Sequence, residues 1–179
     1  MTRARSFLVI AAVTLLLTGC VAPEEKPTLT AGGSSFGGCL PAGDSSVGYV
    51  AMPIENTGPD PIVLSGASIN PVMGAQLVDS WILPIVEGGA MSDGEAYFGP
   101  TAPADSVAWD ERETLLGATI PAGAKAMFAL ELANPSESDQ AAVDGATISY
   151  TGSRGGSLLA KSGFYFGFSP IDGGCFAPE

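Results

Sequence analysis

The sequence predicts an all-β protein, an antiparallel β-sandwich of about seven strands. Short apolar stretches recur between residues 47 and 168, and turns rich in glycine, proline and asparagine separate them. No stretch shows the 3.6-residue apolar period of a long amphipathic helix. With 24 glycines and 14 prolines among 179 residues, the chain has the turn residues that such a fold requires.

Apolar content and alternation place each strand. Pro53 assigns the first strand to a sheet edge, because proline lacks the donor for a central ladder. Leu77, Trp81 and Leu83 share one parity of the third strand, and the phenylalanines of the last strand share one face. The predicted strands span residues 47–54, 62–69, 76–83, 113–120, 126–132, 146–151 and 158–168.

Two segments place an asparagine turn between strands. They are Ile-Glu-Asn-Thr-Gly-Pro-Asp-Pro-Ile at 54–62 and Glu-Leu-Ala-Asn-Pro-Ser at 131–136. This rhythm resembles that of immunoglobulin-like domains on bacterial surface proteins, over residues 40–170. The resemblance implies an immunoglobulin-like sandwich and no particular functional family. The chain departs from antibody-type domains, since Cys39 and Cys175 are too far apart and Trp81 is not in the usual place between them.

The N-terminus predicts export. Arg3 and Arg5 precede an apolar run over residues 7–17, which is shorter than a bilayer span. The following Leu17-Thr18-Gly19-Cys20 resembles a bacterial lipobox. The resemblance implies a signal peptide over residues 1–19, cleavage before Cys20, and a diacylglycerol thioether on Cys20 that anchors the protein to the extracytoplasmic face of the cell membrane. An uncleaved anchor or an ordinary signal peptide with an incidental cysteine is the alternative.

Composition predicts a tether and then a folded domain after the signal. Residues 20–38 are rich in glycine, serine and proline and are predicted as the lipidated cysteine and a flexible tether, with the sandwich domain over residues 39–179. Once Cys20 is assigned to the anchor, Cys39 and Cys175 remain as an even pair in an oxidising compartment, which favours a disulfide. Two thiolate metal ligands are the alternative, but the chain has no histidine to complete such a site.

Charge and composition exclude several functions. The formal net charge of −12 opposes binding to nucleic acid. The absence of histidine removes Ser-His-Asp and Cys-His nucleophiles and histidine-based metal sites. No phosphate-binding or dinucleotide-binding motif occurs. We therefore predict a non-enzymatic protein without a cofactor.

The stretch over residues 84–112 lacks a clean period and holds the candidate binding residues. Tyr97, Phe98 and Trp109 lie among glycines and prolines, where they could contact a partner or hold the loop on its own sandwich. Carboxylates of the same region could ligate calcium, although their spacing fits no EF-hand loop and a solvated acidic loop is the alternative. These weak metal candidates are Asp93, Glu95, Asp110, Glu111 and Glu113.

Taken together, these observations predict a lipid-anchored cell-surface module. It contacts the membrane through Cys20 and binds an unknown envelope protein or glycan. A sandwich that binds calcium or a small ligand through the acidic loop at 87–113 is the alternative function.

Overall fold

Two β-sheets pack face to face in the computed structural model, which describes residues 25–32, 36–41, 46–85, 95–103, 108–136 and 139–169. These residues form eleven strands and one 3-10 helix, Trp109–Glu111. In chain order the strands are β1 (Leu29–Ala31), β2 (Phe36–Leu40), β3 (Val47–Asn56), β4 (Ile62–Met73), β5 (Gln76–Leu83), β6 (Tyr97–Gly99), β7 (Glu113–Thr114), β8 (Thr119–Ile120), β9 (Lys125–Ala133), β10 (Ala141–Thr151) and β11 (Ser157–Phe168).

The first sheet has the strand order β1-β3-β9-β5-β7, and β6 pairs with β3 on the side where β1 lies. The second sheet has the order β2-β11-β10-β4-β8. All of these strand pairs are antiparallel except β2 with β11, which is parallel. The predicted all-β sandwich is therefore confirmed, with more strands than expected and one parallel pair.

Large side chains from both sheets fill the space between them. Phe128 of β9, Tyr150 of β10 and Phe166 of β11 are completely buried there. Phe166 also packs edge-on against Phe168, with ring centroids 5.2 Å apart. The alternation predicted for the last strand is confirmed, since Phe164, Phe166 and Phe168 all lie in this core. Burial of a side chain of this size contributes about 1.5–3 kcal/mol.

The predicted tether is wrong for residues 29–31 and 36–38, because these belong to the strands β1 and β2 of the sandwich. β1 pairs with the end of β3 and buries Leu29 and Ala31. The Tyr150 hydroxyl accepts hydrogen bonds from the backbone N–H groups of Thr28 at 2.9 Å and Leu29 at 3.3 Å. A three-residue strand has too short a pattern to predict from sequence. Residues 1–24, with the predicted signal peptide, lie outside the described residues.

Glycine in the second strand serves packing rather than flexibility. At Gly38 a Cβ atom would lie 2.8 Å from the Cβ of Phe98, closer than real atoms approach. The absence of a side chain therefore lets β2 pass next to Phe98. Gly38 is one of the glycines that suggested a tether, and the close approach of β2 to β6 requires it.

Pro53 does not place β3 at the edge of its sheet, as the sequence suggested. β3 lies between β9 and the pair β1 and β6. β1 pairs with residues 54–56 of β3 and β6 with residues 49–51, so Pro53 falls in the gap between them. Its carbonyl accepts a hydrogen bond from the N–H of Gly32 at 3.0 Å. The backbone nitrogen of Pro53, which has no hydrogen to donate, points to the same side. No strand of the ladder requires a donor at this position.

A β-bulge overturns the predicted parity of the third strand. Between Leu77 and Asp79, β5 advances two residues while β9 advances one. Because of the extra residue, the side chains after it point to the opposite face of the sheet from the one that simple alternation predicts. Leu77 consequently packs against the core between the sheets, whereas Trp81 and Leu83 face the opposite side.

The predicted strand over residues 113–120 divides into two short strands in different sheets. β7 pairs with β5 of the first sheet, and β8 pairs with β4 of the second. Between them Leu115 is buried in the core, and Gly117 has a φ of +88°. That left-handed backbone at a glycine lets the chain turn from one sheet to the other.

Asn56 holds two turns together at one end of the sandwich. Its buried side-chain amide lies 2.8 Å from the carbonyl oxygen of Asp60 and 3.1 Å from those of Ile120 and Pro121. Its side-chain oxygen accepts a hydrogen bond from the N–H of Gly58 at 3.0 Å. The predicted turn after β3 is thus fixed to the turn before β9, far along the chain.

Replacing Asn56 with alanine should lower the free energy of unfolding by about 1–3 kcal/mol, because buried carbonyl groups lose their donor. Urea unfolding followed by circular dichroism measures the change. Asn70→Ala is the matched control, since Asn70 is exposed and should change stability by less than about 0.5 kcal/mol. Equal effects of the two substitutions would contradict the role given to Asn56.

Candidate functional site

The outer face of the first sheet carries a second apolar cluster. Ala51, Leu83, Met127 and Ala129 are at most 1% exposed, although they alternate with residues of the core between the sheets. We call these four residues the outer cluster. The partly buried side chains that pack on it belong to Trp81, Ile85, Tyr97 and Trp109.

Burial on both faces is visible in the composition of the two central strands. Residues 126–130 of β9 are all apolar and all buried, so this strand has no solvent face in its middle. An uninterrupted apolar run is typical of a strand covered on both sides. Ala51 and Ala129 are opposite each other on β3 and β9, and their small side chains leave room for aromatic rings above the sheet.

The 3-10 helix presents Trp109 and Arg112 on one side. The backbone N–H of Arg112 donates to the carbonyl of Trp109 at 3.3 Å. The guanidinium Nη1 of Arg112 donates to the same carbonyl at 3.0 Å. Because residues three apart are eclipsed in this kind of helix, the two side chains lie together.

Aromatic rings and one cation assemble around Trp109. Its ring meets Trp81 edge-on with centroids 5.2 Å apart and Tyr49 edge-on at 5.8 Å. The guanidinium carbon of Arg112 lies 5.0 Å from the centroid of Trp109 and 5.9 Å from that of Trp81. We call Tyr49, Trp81, Trp109 and Arg112 the Trp-Arg cluster.

This cluster combines stability with access from solvent. Arg112 is exposed, and the three aromatic side chains are partly buried. An edge-to-face ring pair contributes about 0.5–1.5 kcal/mol, and a cation over a ring at an exposed site about 0.5–1 kcal/mol. The contacts therefore fix the rings in place while part of each ring remains open to a partner.

A carboxylate lies beside the aromatic rings. Tyr49 of β3 is opposite Glu131 of β9 in the ladder. Burial raises the pKa of the Tyr49 hydroxyl, and the charge of Glu131 and a hydrogen bond to Glu131 raise it further, while Arg112 opposes them. Tyr49 therefore stays a neutral hydrogen-bond donor at physiological pH.

The three predicted binding residues do not form one surface. Tyr97 and Trp109 both pack on the outer cluster. Phe98 points to the other side of β6, where its ring stacks on Phe166 with centroids 6.0 Å apart. Neighbouring residues of a strand face opposite ways, so one strand cannot present both Tyr97 and Phe98 to a partner. Phe98 is thus a packing residue of the core.

Tyr97 holds its own loop. Its hydroxyl donates a hydrogen bond to the carbonyl of Thr101 at 2.8 Å. The ring passes over Gly99, where a Cβ atom would overlap the Tyr97 hydroxyl. The aromatic residues of the 84–112 stretch therefore attach that stretch to the sheet, and Trp109 alone among the three is also part of the Trp-Arg cluster.

The acidic residues of the stretch are dispersed. Glu95, Asp110, Glu111 and Glu113 are exposed, and Asp93 lies outside the described residues. Within the described ranges, no three carboxylate or cysteine side chains are grouped as metal ligands would be. Binding of calcium by this region remains a prediction.

A groove of about 310 Å³ opens at one end of the sandwich. Glu111, Glu113 and Lys125 line it together with apolar residues that include Ile82, Ile120 and Ala126. Lys125 also pairs with Glu55, with 3.8 Å between Nζ and Oε2. This groove is the kind of concave surface that small ligands occupy. Binding of a small ligand by this protein remains a prediction.

The cysteine predictions involve residues that the structure does not describe. Cys39 lies in β2 opposite Gly167 of β11. Cys20 and Cys175 lie outside the described residues, so lipidation and the disulfide remain predictions. In the described part of the chain, no helix has the length and hydropathy needed to cross a bilayer.

Sequence reasoning missed Tyr49, Trp81 and Arg112 as members of a site. The apolar pattern assigns Trp81 to the core, because the bulge in β5 leaves no mark in that pattern. The available signal was the apolar composition of residues 126–130, which indicates that something must cover the outer face. Which residues cover it depends on the path of the 84–112 stretch.

Comparison with known proteins gives no family. No family model matches the chain, and no curated protein matches it. Among solved structures it is similar to the ASH/PapD-like domain 7 of human CEP192, with 10% identity and a TM-score of 0.41 over 97% of this chain and all of that one. It is also similar to the secreted serine protease VesC of Vibrio cholerae, with 14% identity and a TM-score of 0.36 over 78% of this chain and 23% of the protease. Similarities at this level carry no functional inference.

The raised pKa of Tyr49 predicts a pH dependence of stability. Above the ordinary tyrosine pKa of about 10, the unfolded chain loses this proton before the folded chain does. The free energy of unfolding should therefore fall as pH rises through that window. Tyr49→Phe keeps the ring and removes the titrating group, so its stability should fall less steeply in urea unfolding between pH 9 and pH 11. Identical slopes would contradict the assignment.

Proposed function

We propose that this protein is a lipid-anchored, non-enzymatic module on the extracytoplasmic face of the cell membrane, and that it binds an envelope protein or glycan through the Trp-Arg cluster. The observation that carries the proposal is a set of three aromatic rings and an arginine gathered outside the core. The cluster lies on the outer face of the first sheet, where Trp81 and Trp109 pack on the outer cluster.

The residue types support a binding role. Tryptophan, tyrosine and arginine are the residues that most often dominate the energy of protein interfaces. Their positions are fixed by ring contacts, so little conformational entropy is lost when a partner binds. The Tyr49 hydroxyl donates its proton to Glu131 and can only accept from a partner, whereas the exposed guanidinium of Arg112 supplies N–H donors and the single cation of the cluster. The partner should therefore offer apolar faces together with hydrogen-bond acceptors.

A non-enzymatic role is supported by the composition. The chain has no histidine, and its remaining acids and bases match no catalytic motif. At the cluster, the titratable residue with a raised pKa is Tyr49, which lies next to Glu131. The Tyr49 hydroxyl therefore keeps its proton at neutral pH. Such a pair suits hydrogen bonding to a ligand better than proton transfer at neutral pH.

The position of the first described residues affects how the anchor would act. Ser153 Oγ, in the turn between β10 and β11, donates a hydrogen bond to Glu25 Oε1 at 3.2 Å. A chain of five residues spans at most about 18 Å. With a lipid on Cys20, the backbone of Glu25 would consequently lie within that distance of Cys20, and the β10–β11 turn would lie next to Glu25. The anchor would hold the domain close to the bilayer, and the long flexible spacer predicted from composition would be absent.

Alanine substitutions test the binding surface. We expect Trp109→Ala to weaken capture of the partner roughly 30-fold, which corresponds to the loss of about 2 kcal/mol from an interface hot spot. Arg112→Ala should weaken it less, and because Arg112 is exposed it should leave the fold intact. Crosslinking on intact cells, followed by quantification of the captured molecule, measures the effect.

The matched control is Arg154→Ala, which removes an exposed arginine from the turn between β10 and β11. This variant should capture the partner as well as the unmodified protein does. Undiminished capture by both Trp109→Ala and Arg112→Ala would place the binding surface elsewhere. Thermal unfolding of each variant separates a lost contact from a lost fold.

Replacing Cys20 tests the anchor separately. Cys20→Ser removes the sulfur that would carry the lipid, so the protein should leave the membrane fraction and appear in the soluble fraction after cell lysis. Cys39→Ser is the control for loss of a cysteine as such and should remain with the membranes. A Cys20→Ser protein that still sediments with membranes would refute lipid anchoring and leave the binding surface to be judged by its own experiment.

A further inference from the structure

A carboxylate from the start of the domain lies on the turn between β10 and β11. Glu25 Oε1 accepts a hydrogen bond from Ser153 Oγ at 3.2 Å and another from the backbone N–H of Arg154 at 3.4 Å. Ser153 lies 128 residues further along the chain than Glu25. The contact therefore closes the first described residues onto the hairpin of β10 and β11.

The turn leaves room for this carboxylate. Gly152 is buried, and a Cβ atom placed on it would overlap Glu25 Oε1. A Cβ on Gly156, at the other end of the turn, would lie 3.5 Å from Oε2, which is an ordinary contact. Gly155 has a left-handed backbone with a φ of +77°, whereas Gly152 and Gly156 do not. Gly152 is therefore needed for the space that Glu25 occupies, and its own backbone does not require glycine.

The turn holds the carboxylate by one oxygen only. Both hydrogen bonds end on Oε1, whereas Oε2 is buried and has no hydrogen-bond partner among the residues that the structure describes. Hydrogen bonds to a charged acceptor stabilise the contact, but both are longer than is usual for that type. A buried polar atom without a partner costs free energy of similar size. The two effects oppose each other, so the closed and the open arrangement lie close in free energy.

The chain is fixed more firmly three residues later, at Thr28. Its N–H donates to the Tyr150 hydroxyl at 2.9 Å. Its carbonyl accepts hydrogen bonds from the N–H and the hydroxyl of Thr57, at 2.8 Å and 2.7 Å. The two residues between Glu25 and Thr28 are exposed. Release of the Glu25 side chain would therefore free residues 25–27 and leave β1 in its sheet.

We propose that Glu25 and the β10–β11 turn form a clasp, which opens and closes while the sandwich stays folded. The clasp controls how far the domain can stand from its anchor, and this part rests on the proposed function, because it needs a lipid on Cys20. The five-residue chain from Cys20 to Glu25 spans at most about 18 Å, and the eight-residue chain to Thr28 about 29 Å. Opening would thus extend the reach of the domain, and of the Trp-Arg cluster with it, by roughly 10 Å.

Limited proteolysis of the full chain tests the clasp. Endoproteinase Glu-C cuts after glutamate, and mass spectrometry quantifies the fragment that begins at Lys26. Gly152→Ala should raise the initial rate of this cleavage roughly 10-fold, because its Cβ displaces the carboxylate and cleavage follows the population of the open form. Ser153→Ala should raise the rate less, since the Arg154 N–H still donates to Oε1.

Gly156→Ala is the matched control, because it adds the same methyl group to the same turn without displacing Glu25. It should change the cleavage rate less than roughly 2-fold. Equal rates in Gly152→Ala and Gly156→Ala would overturn the proposal.

A spin label at Lys26→Cys separates a displaced carboxylate from a damaged turn. Glu25→Ala and Gly152→Ala should each increase the mobile fraction of the label. The double variant should be no more mobile than either single one, because both substitutions remove the same contact. Additive effects would show that Gly152→Ala acts on the turn by itself, and the clasp would be refuted.

Energy transfer to a membrane tests the effect on reach. A dye on Ser157→Cys, an exposed position beside the turn, is the donor, and the full lipidated chain is inserted into phosphatidylcholine vesicles that contain a rhodamine-labelled lipid. Transfer should fall in Gly152→Ala and stay unchanged in Gly156→Ala. Undiminished transfer in Gly152→Ala would overturn the effect on reach. Absence of transfer in every variant would refute the lipid anchor, and the cleavage rates would still decide whether the clasp exists.

Discussion

The structure depends on the apolar outer face of its first sheet. Ala51, Met127 and Ala129 face away from the core between the sheets, yet water does not reach them. Leaving such a face in contact with water would cost about 25 cal/mol for each Å² of apolar area. In the described part of the stretch after β5, Tyr97 and Trp109 cover this face. Among its described residues, β6 joins the first sheet next to β3, and Trp109 of the 3-10 helix packs on the outer cluster.

The covering segment also creates the candidate site. Since Trp109 must pack on the outer cluster, it meets Trp81 and Tyr49, and the 3-10 helix brings Arg112 over the rings. The second sheet has no comparable cover among the described residues, and its outer face carries small polar side chains such as Thr147 and Ser149. The two faces of the sandwich thus differ in chemistry, and the aromatic surface lies on only one of them.

Long-range hydrogen bonds of two buried polar side chains, Tyr150 and Asn56, connect distant segments of the chain to this framework. Tyr150 fixes the segment before β1, and Asn56 joins two turns more than sixty residues apart, with |i−j| of 64 to Ile120. These contacts bring residues 25–31 into the domain. The proposed lipid anchor at Cys20 would then lie only a few residues before the folded domain.

Local sequence patterns were sufficient to predict the all-β class, most strand positions, the asparagine turns and the inward face of the phenylalanines in β11. These depend on local spacing, which alternation and turn residues record directly. Three other features depend on contacts between strands that are distant in the sequence. The bulge in β5 places Trp81 on the outer face of the first sheet. The gap between β1 and β6 allows Pro53 to lie inside the sheet. Because β6 is a strand, Tyr97 and Phe98 point to opposite faces of it. Each outcome depends on which strand lies alongside, and residues distant in the chain determine that.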